Sequence, residues 1–499
     1  MKRNKARLIL PFFVSIVYLL CHSCQGERFN QEIEENLQLD STVLGVSVVA
    51  DSLVVPWELV WGPDNWIWVS EERGYITKVN PKTGEKRIVL KLPIGARPEG
   101  AQSMLVHPDQ DKFPYVYIHY KQIKADSLRY NILERYTVQG DTLINPKVLL
   151  SFVSGKGHSG SRLAFHGKDC ILWATGDQAH YEAPQDLSNP NGKVLRLDLE
   201  GKIPSDNPMP NSYVYAYGFR NMQGMVVTPD QRIYTSEHGD ATEDEINLIR
   251  AGKNYGFPVI EGKSDNDVEI AFQKANGTID PLISWTPTIA PAGLDYYDAP
   301  NIPEWKNSLL LTMLKGQGLR VLKLNPQGDK IVKEELFLEK LYGRIRDICV
   351  SPEGDIYICT SNHDWNPMTS PAERDDRILR ISKVDKATKT PLKANDLNPK
   401  VEGKAGEILY QKFCFSCHKD KGVGLENIYP ALKNSAIVAD NERLMHTVLN
   451  GAKNEEYAMP SFGFLSDKEL FEIVNYLRTT INDSQDSITI DEIAKARKK

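Results

Sequence analysis

Cys414-Phe415-Ser416-Cys417-His418 is the stretch of this chain whose residue types and spacing most narrowly specify a chemistry. Two thiols flanking two residues can each form a thioether with a haem vinyl group, and the adjacent imidazole can ligate the iron. A zinc ribbon would need a second nearby Cys pair, which the sequence lacks, and a dithiol redox motif gives the His no role. Downstream, Met459 in Tyr457-Ala458-Met459-Pro460-Ser461-Phe462 offers a thioether as sixth ligand, and Pro430 is expected to supply the carbonyl that orients the axial His418 ring. Ser466 and Glu469 read as a capping box, and Leu470, Ile473, Val474 and Leu477 follow at helical spacing.

A second set of polar residues is scattered but regular. His158, Arg220, Asn221, Arg344 and Arg346 stand just ahead of apolar runs, and Asp177, Gln178, Glu237, His238, Lys315 and His363 stand just after the returning runs. One such residue is ordinarily a solvated loop residue. If the runs are hairpins of one repeated design, all these positions share one face. A convergent set of guanidinium, ammonium and imidazole groups around a funnel is what an anionic ligand requires.

The elements that must position them are six imperfect repeats over residues 43–383. Each has an apolar strand, a tight turn and an aromatic-rich return, as in Leu59-Val60-Trp61-Gly62-Pro63-Asp64-Asn65-Trp66-Ile67-Trp68-Val69. The others turn at Pro108-Asp109, Gly167-Lys168, Pro229-Asp230 and Pro352-Glu353, with a looser instance from Leu294 to Leu311. A third alternating segment follows each hairpin, at 75–79, 132–136, 193–197, 245–249, 319–324 and 377–381. The pattern predicts an all-β six-bladed β-propeller with a small C-terminal all-α cytochrome c domain. A β-sandwich is the alternative, but it has no reason to repeat one motif six times.

Residues 1–24 read as an address. Lys2, Arg3, Lys5 and Arg7 precede an apolar run, Leu8 to Leu20, too short to span a bilayer as an ordinary helix. Ser23-Cys24 after that run resembles a bacterial lipobox with Cys24 as the acylated residue; an uncleaved anchor or plain secretion is the alternative. The expected order is a lipoprotein signal peptide 1–24, a tether 25–42, the propeller 43–383, a linker 384–403, the cytochrome c unit 404–481 and a polar tail 482–499. The expected location is the periplasmic side, with membrane contact only through the lipid. Cys170, Cys349 and Cys359 remain after the signal and the haem motif, and an odd remainder on strand-like segments reads as buried thiols, a Cys349–Cys359 bridge being the lesser option. A formal net charge of -6 from 60 basic and 66 acidic residues gives no basic excess for nucleic acid.

Residues 404–481 resemble a class I monohaem cytochrome c. In the propeller, Gly157-His158-Ser159-Gly160-Ser161-Arg162, Gly176-Asp177-Gln178, Tyr217-Gly218-Phe219-Arg220-Asn221, Ser236-Glu237-His238-Gly239, Asp244-Glu245-Ile246-Asn247, Asn254-Tyr255-Gly256, Pro287-Thr288-Ile289 and Arg344-Ile345-Arg346-Asp347 come in order. Together they resemble the soluble PQQ-dependent glucose/aldose sugar dehydrogenase family. The resemblance implies that His158 takes the proton of a sugar hydroxyl while hydride passes to PQQ, with Asp177 orienting the imidazole. It implies that Arg220, Asn221, Thr288, Lys315, Arg344 and Arg346 hold PQQ, and it places His238 beside it. The carbonyls of Gly239 and Asp240 would hold a Ca²⁺, and Glu245 with the Tyr255 carbonyl a second one; a solvated turn is the plain alternative for Glu243-Asp244-Glu245. Gly157, Pro98-Glu99-Gly100, His238 and Thr286 depart from the glucose-active branch, which has Asp, a Gln-containing loop, Gln and Trp there. The expected activity is oxidation of a sugar or related alcohol, with electrons passing to the chain's own haem c and on to a respiratory acceptor. A cofactor-free propeller binding a carbohydrate or protein, with the cytochrome serving only electron transfer, is the alternative; a Ca²⁺-dependent hydrolase would leave the haem unexplained.

Overall fold

The computed structural model describes residues 31–95, 99–155, 157–364, 370–397, 404–426, 429–453 and 458–498. The signal segment and the Pro98 position lie outside these residues. Five four-stranded antiparallel sheets and one five-stranded sheet form a ring. The innermost strands are Pro56–Trp61, Gly100–Val106, Gly160–His166, Met222–Val227, Pro291–Tyr297 and Ile345–Val350, each packed against the next and the last against the first. These are the first strands of the six repeats, and the predicted return and third strands follow in order. The fourth strands, such as Lys86–Lys91 and Ile331–Phe337, carry several exposed residues on the rim, which weakens their apolar alternation.

Apolar residues collect between blades rather than at one centre. Trp68, Ile76 and Val89 of the first blade pack on Met104, Val116 and Ile118 of the second. Equivalent clusters fill the remaining five gaps, that between the sixth and first blades holding Leu59, Val69, Cys349, Tyr357 and Cys359. Cys170, Cys349 and Cys359 are free and buried. In every blade the innermost pair shifts register within its first few residues, as between Ile345 and Asp347. Such bulges re-aim side chains at a strand end. Here all six lie at the same end of the ring, and the one in blade six leaves Arg346 without an opposite partner.

Blade six is completed by Val43–Ala50, paired to Ile378–Lys383, and by an outermost Ile33–Gln38. The segment read as a tether therefore contributes a strand: Leu37 is fully buried, and Asn36 caps the backbone of Thr388 and Lys389. Beyond the sheet, Leu392 bridges to Leu37 and Asn395 to Leu336, which pins the start of the linker.

The C-terminal unit packs helices Ala405–Phe413, Asn441–Asn450 and Asp467–Asn475 around Tyr410, Leu444, Leu470, Ile473 and Val474. A Cβ on Gly406 would stand 2.3 Å from the Glu472 carbonyl oxygen, so glycine lets the first and last of these helices cross in contact. The Ser466/Glu469 capping box forms as expected. The segment read as a polar tail instead holds a helix, Ile490–Ala496, with its own capping box at Thr489 and Glu492; Ile488 and Ile493 enter the core. Among the described residues, no helix is long and apolar enough to cross a membrane.

Candidate active site

His158 lies in the loop before the innermost strand of blade three, at φ 38°, and Asp177 just after the return strand of the same hairpin. The hairpin brings His158 Nδ1 to 2.8 Å from Asp177 Oδ1. The Asp177 side chain is fully buried and also accepts from the Ala179 amide at 2.9 Å. On the other side of the ring, Arg220 Nη2 lies 3.1 Å from His158 Nε2. A guanidinium can only donate, so Nε2 accepts and the ring proton resides on Nδ1. The imidazole is thus held neutral, its basic nitrogen toward the mouth. Burial, then Arg220, lowers the His158 pKa from its ordinary value, while Asp177 acts in the opposite sense.

Arg220 is positioned from several directions. Its carbonyl accepts from the Asp177 amide at 2.7 Å, its own amide donates to Glu237, and Asp240 Oδ1 meets Nη2 at 2.8 Å. Arg220 Nε is buried with no hydrogen-bond partner. Asn221 Oδ1 accepts from the Gly160 amide at 2.9 Å, joining blades three and four. His238 Nε2 donates to the Pro291 carbonyl at 2.9 Å, and burial holds this imidazole neutral. His238 Nδ1 also lies 3.4 Å from the Asn221 side-chain amide nitrogen.

Lys315 Nζ donates to Thr288 Oγ1 at 2.9 Å. Arg344 and Arg346 converge on one carboxylate oxygen, Asp364 Oδ2, with Arg344 Nη2 at 2.9 Å. Asp364 is fully buried, and the Arg346 guanidinium lies 4.0 Å from the centre of the Trp57 ring. The structure therefore gathers His158, Asp177, Arg220, Asn221, His238, Thr288, Lys315, Arg344 and Arg346 at one end of the ring. Two expected members differ. Gln178 is turned into the wall, accepting from Lys121 and Ser154 and donating to the Ser159 carbonyl. His363 sits on the rim, its side chain 46% exposed beside Asp376. Trp285 donates to Glu334, away from the mouth, and Thr286 binds Glu243.

Asp364 and Glu261 escaped the sequence reading, whereas Glu237, expected on the mouth face, accepts there from the Arg220 amide. Asp364 directly follows His363, so it stood one residue from a position already singled out. Glu237, Glu245, Glu261, Gly239 and Tyr255 line one cleft beside Arg220. Burial raises Glu237 and Glu261 to about 7 and also raises Glu245. All-oxygen donors suit a hard cation. Among the described residues, no three His, Cys, Asp or Glu side chains converge to hold a metal, so a cation there would rely on carbonyls such as those of Gly239, Asp240 and Tyr255.

In the C-terminal unit, Cys414 ends the first helix and Phe415–His418 forms the next turn. His418 Nδ1 lies 2.9 Å from the Pro430 carbonyl, as expected, which makes Nε2 the ligating nitrogen. Burial pushes the Cys414 thiol up to about 12 and lowers His418. Met459 lies in a two-residue strand opposite Ala452 and packs against the apolar core that includes Cys414. Tyr457 lies outside the described residues. Two thiols on one turn, an oriented imidazole and an apolar surround fit a covalently bound haem.

The family profile described as Glucose / Sorbosone dehydrogenase matches residues 53–367, and that of Cytochrome C oxidase, cbb3-type, subunit III matches 401–477. Quinoprotein glucose dehydrogenase B of Acinetobacter calcoaceticus is 30% identical over 404 residues, covering 63% of this chain and 84% of that protein. The PQQ-bound aldose sugar dehydrogenase of Streptomyces coelicolor has a TM-score of 0.59 and 30% identity, over 68% of this chain and 98% of that one. The apo-form soluble aldose sugar dehydrogenase of Escherichia coli gives 0.60 and 27%, over 68% and 99%.

Proposed function

Because the chain belongs to the glucose/sorbosone dehydrogenase family and carries a cytochrome-c-like unit after its propeller, we propose that it oxidises an aldose sugar or related alcohol and hands the electrons to its own haem. The observation that carries this reading is the His158–Asp177–Arg220 arrangement, a neutral imidazole with its lone pair aimed into a cationic mouth. When bound, PQQ supplies a hydride acceptor, haem a one-electron sink, and Ca²⁺ a hard Lewis acid.

His158 Nε2 accepts the hydroxyl proton of the substrate once that hydroxyl replaces the Arg220 N–H. Asp177 holds the Nδ1 proton and stabilises the imidazolium that forms. Arg220, Lys315, Arg344 and Arg346 would hold PQQ as counter-ions to its negative charge, and Asn221, Thr288 and His238 would complete its polar surround. A buried Arg220 Nε with no acceptor is a donor such a polyanion can satisfy. Carbonyls of Gly239 and Asp240 would hold Ca²⁺ at the mouth, and Glu245 with the Tyr255 carbonyl would hold a structural one. Cys414 and Cys417 would attach the haem, and His418 and Met459 would ligate its iron.

The signal-like sequence of residues 1–24 supports a periplasmic location with a lipid anchor through Cys24, and the proposed final acceptor is a respiratory carrier. The test is reconstitution of the full chain with PQQ and Ca²⁺, followed by an aldose and alcohol screen with a dye acceptor. Turnover that needs both additions supports the reading. A chain that binds no PQQ refutes it.

A further inference from the structure

Lys193 opens the third strand of blade three, Lys193–Asp198, and its side chain is fully buried. Lysines ordinarily keep the ammonium in water. This one donates to three backbone carbonyls, Ala183 at 2.6 Å, Asn191 at 2.8 Å and Pro184 at 3.0 Å. Three acceptors match the three N–H groups of an ammonium and exceed the two of a neutral amine. Burial opposes the charge and brings the Lys193 pKa down to about 7, whereas the carbonyls favour it.

The segment so fastened is the loop that leaves the return strand at Asp177 and re-enters the sheet at Lys193. It is bonded to the segments that carry the proposed base and its partners. The Gly192 amide donates to the carbonyl of Gly176, directly before Asp177, at 2.8 Å. The Gly192 carbonyl accepts from the amide of Phe219, directly before Arg220, at 3.3 Å. The Pro184 carbonyl, already bound by Lys193, also accepts from the Gly218 amide at 3.1 Å. Gly176 in turn lies so close to the His158 carbonyl that a Cβ has no room there. His158 at φ 38°, Gln178 at φ 59° and Ala179 at φ 63° occupy the left-handed region, which persists in such residues only where surrounding contacts over-determine it. Lys193 supplies three such contacts at once. Gln185 of the same loop exchanges hydrogen bonds with Asn254 at 2.8 and 3.0 Å, so the loop keeps a second fastening without the lysine.

We infer that Lys193 is a positioning residue of the active site: its ammonium gathers the carbonyls of the 177–192 loop and through that loop sets Asp177 and Arg220 against His158. This rests on the reading of His158 as the base. Lys193 touches neither substrate nor cofactor, and its effect is the placement of a proton-accepting nitrogen, where an error of about 1 Å can cost about 10² in rate.

The experiment uses the haem-loaded full chain and follows the His158 Nδ1 proton by NMR, its resonance identified by its loss in His158→Gln. Bonded to the buried Asp177 carboxylate, that proton should exchange slowly with water in the wild type. Lys193→Met, similar in length but without charge or donors, should speed the exchange at least tenfold and, with PQQ and Ca²⁺ added, lower dye-linked kcat at least tenfold. Thr175→Val removes the hydroxyl that donates to the Pro190 carbonyl at 2.7 Å, near the end of the same loop, and should give smaller changes in the same direction. Leu197→Ala, at a fully buried position farther along the strand, should lower the thermal midpoint and move neither readout. Wild-type exchange and turnover in folded Lys193→Met would overturn the inference. Equal changes in Leu197→Ala would overturn it too, since Lys193 would then serve only general stability. If Lys193→Met does not fold, wild-type exchange in Thr175→Val overturns it instead. A wild-type chain that takes up no PQQ would refute the functional reading, while the proton-exchange arm still decides whether Lys193 places Asp177 against His158.

Discussion

Asp177→Asn isolates the electrostatic part of the proposed base. The substitution keeps the size of the side chain and its oxygen facing His158 Nδ1, now 2.8 Å away, but removes the charge that steadies an imidazolium. With charge centres ~4 Å apart and an effective dielectric of ~20, the lost attraction is about 4 kcal/mol. At about 1.4 kcal/mol per decade that is close to 10³ in rate. The His158 side chain is 24% exposed, so water screens part of it and a loss of about 10² to 10³ in kcat is expected. The pH profile gives an independent sign. The base works when neutral, so activity falls as pH drops through the His158 pKa, which burial and Arg220 already hold below the usual imidazole value. Asp177 raises that pKa, so its removal moves the acid limb to still lower pH while the plateau drops. The assay is dye-linked turnover from pH 4 to 9 at saturating PQQ, with bound cofactor measured in parallel. A plateau reduced less than about threefold, or an acid limb displaced upward, would refute the reasoning.

Three further outcomes follow from the same geometry. His158→Gln should lose at least about two decades of kcat while still binding one equivalent of PQQ, whereas His166→Gln, at the far end of the same strand, should keep most activity. Asp364→Asn removes the carboxylate shared by two buried guanidinium groups; breaking such a pair costs about 3–5 kcal/mol, so the apo-protein should melt earlier and gain more from added PQQ than wild type does, as read by calorimetry. Met459→Ala should leave haem resistant to acid-acetone extraction but change its visible spectrum, because only the sixth ligand is lost.

The ring and the haem turn were legible because their signals are local. Each innermost strand and its return are joined by a turn whose Pro, Asp or Gly can be read directly, and Cys414-Phe415-Ser416-Cys417-His418 carries its chemistry in five adjacent residues. The mouth residues followed from that topology, since positions flanking equivalent strands must share a face. What stayed hidden depends on partners distant in sequence. Ile33–Gln38 looks polar until Leu37 is seen to pack beneath Tyr342 and Leu379 in the wall of blade six. Asp364 has no motif of its own; its role exists only where Arg344 and Arg346 meet it. The helix at 490–496 was readable, since Thr489 and Glu492 have capping-box spacing, but its few apolar residues, Ile488 and Ile493, gave little periodicity.

The joining of the sixth blade has a consequence for the order in which the molecule can be made. Leu44 pairs with Lys383 and Val46 with Ile381, so Val43–Ala50, made before any of the other five blades, waits for a strand made at the end of the propeller. Until then Val43–Ala50 presents an unpaired apolar edge, the kind of surface that invites pairing with another chain. Loop closure over such a span is slow compared with hairpin formation. Five blades can assemble as local hairpins behind the leading edge, but the circle shuts only after the last three strands emerge, and the haem turn emerges later still. Ring closure is therefore the committed step of maturation. A lesion in Val43–Ala50 or Ile378–Lys383 should show itself as low yield and aggregation on expression, with normal kinetics in the molecules that survive.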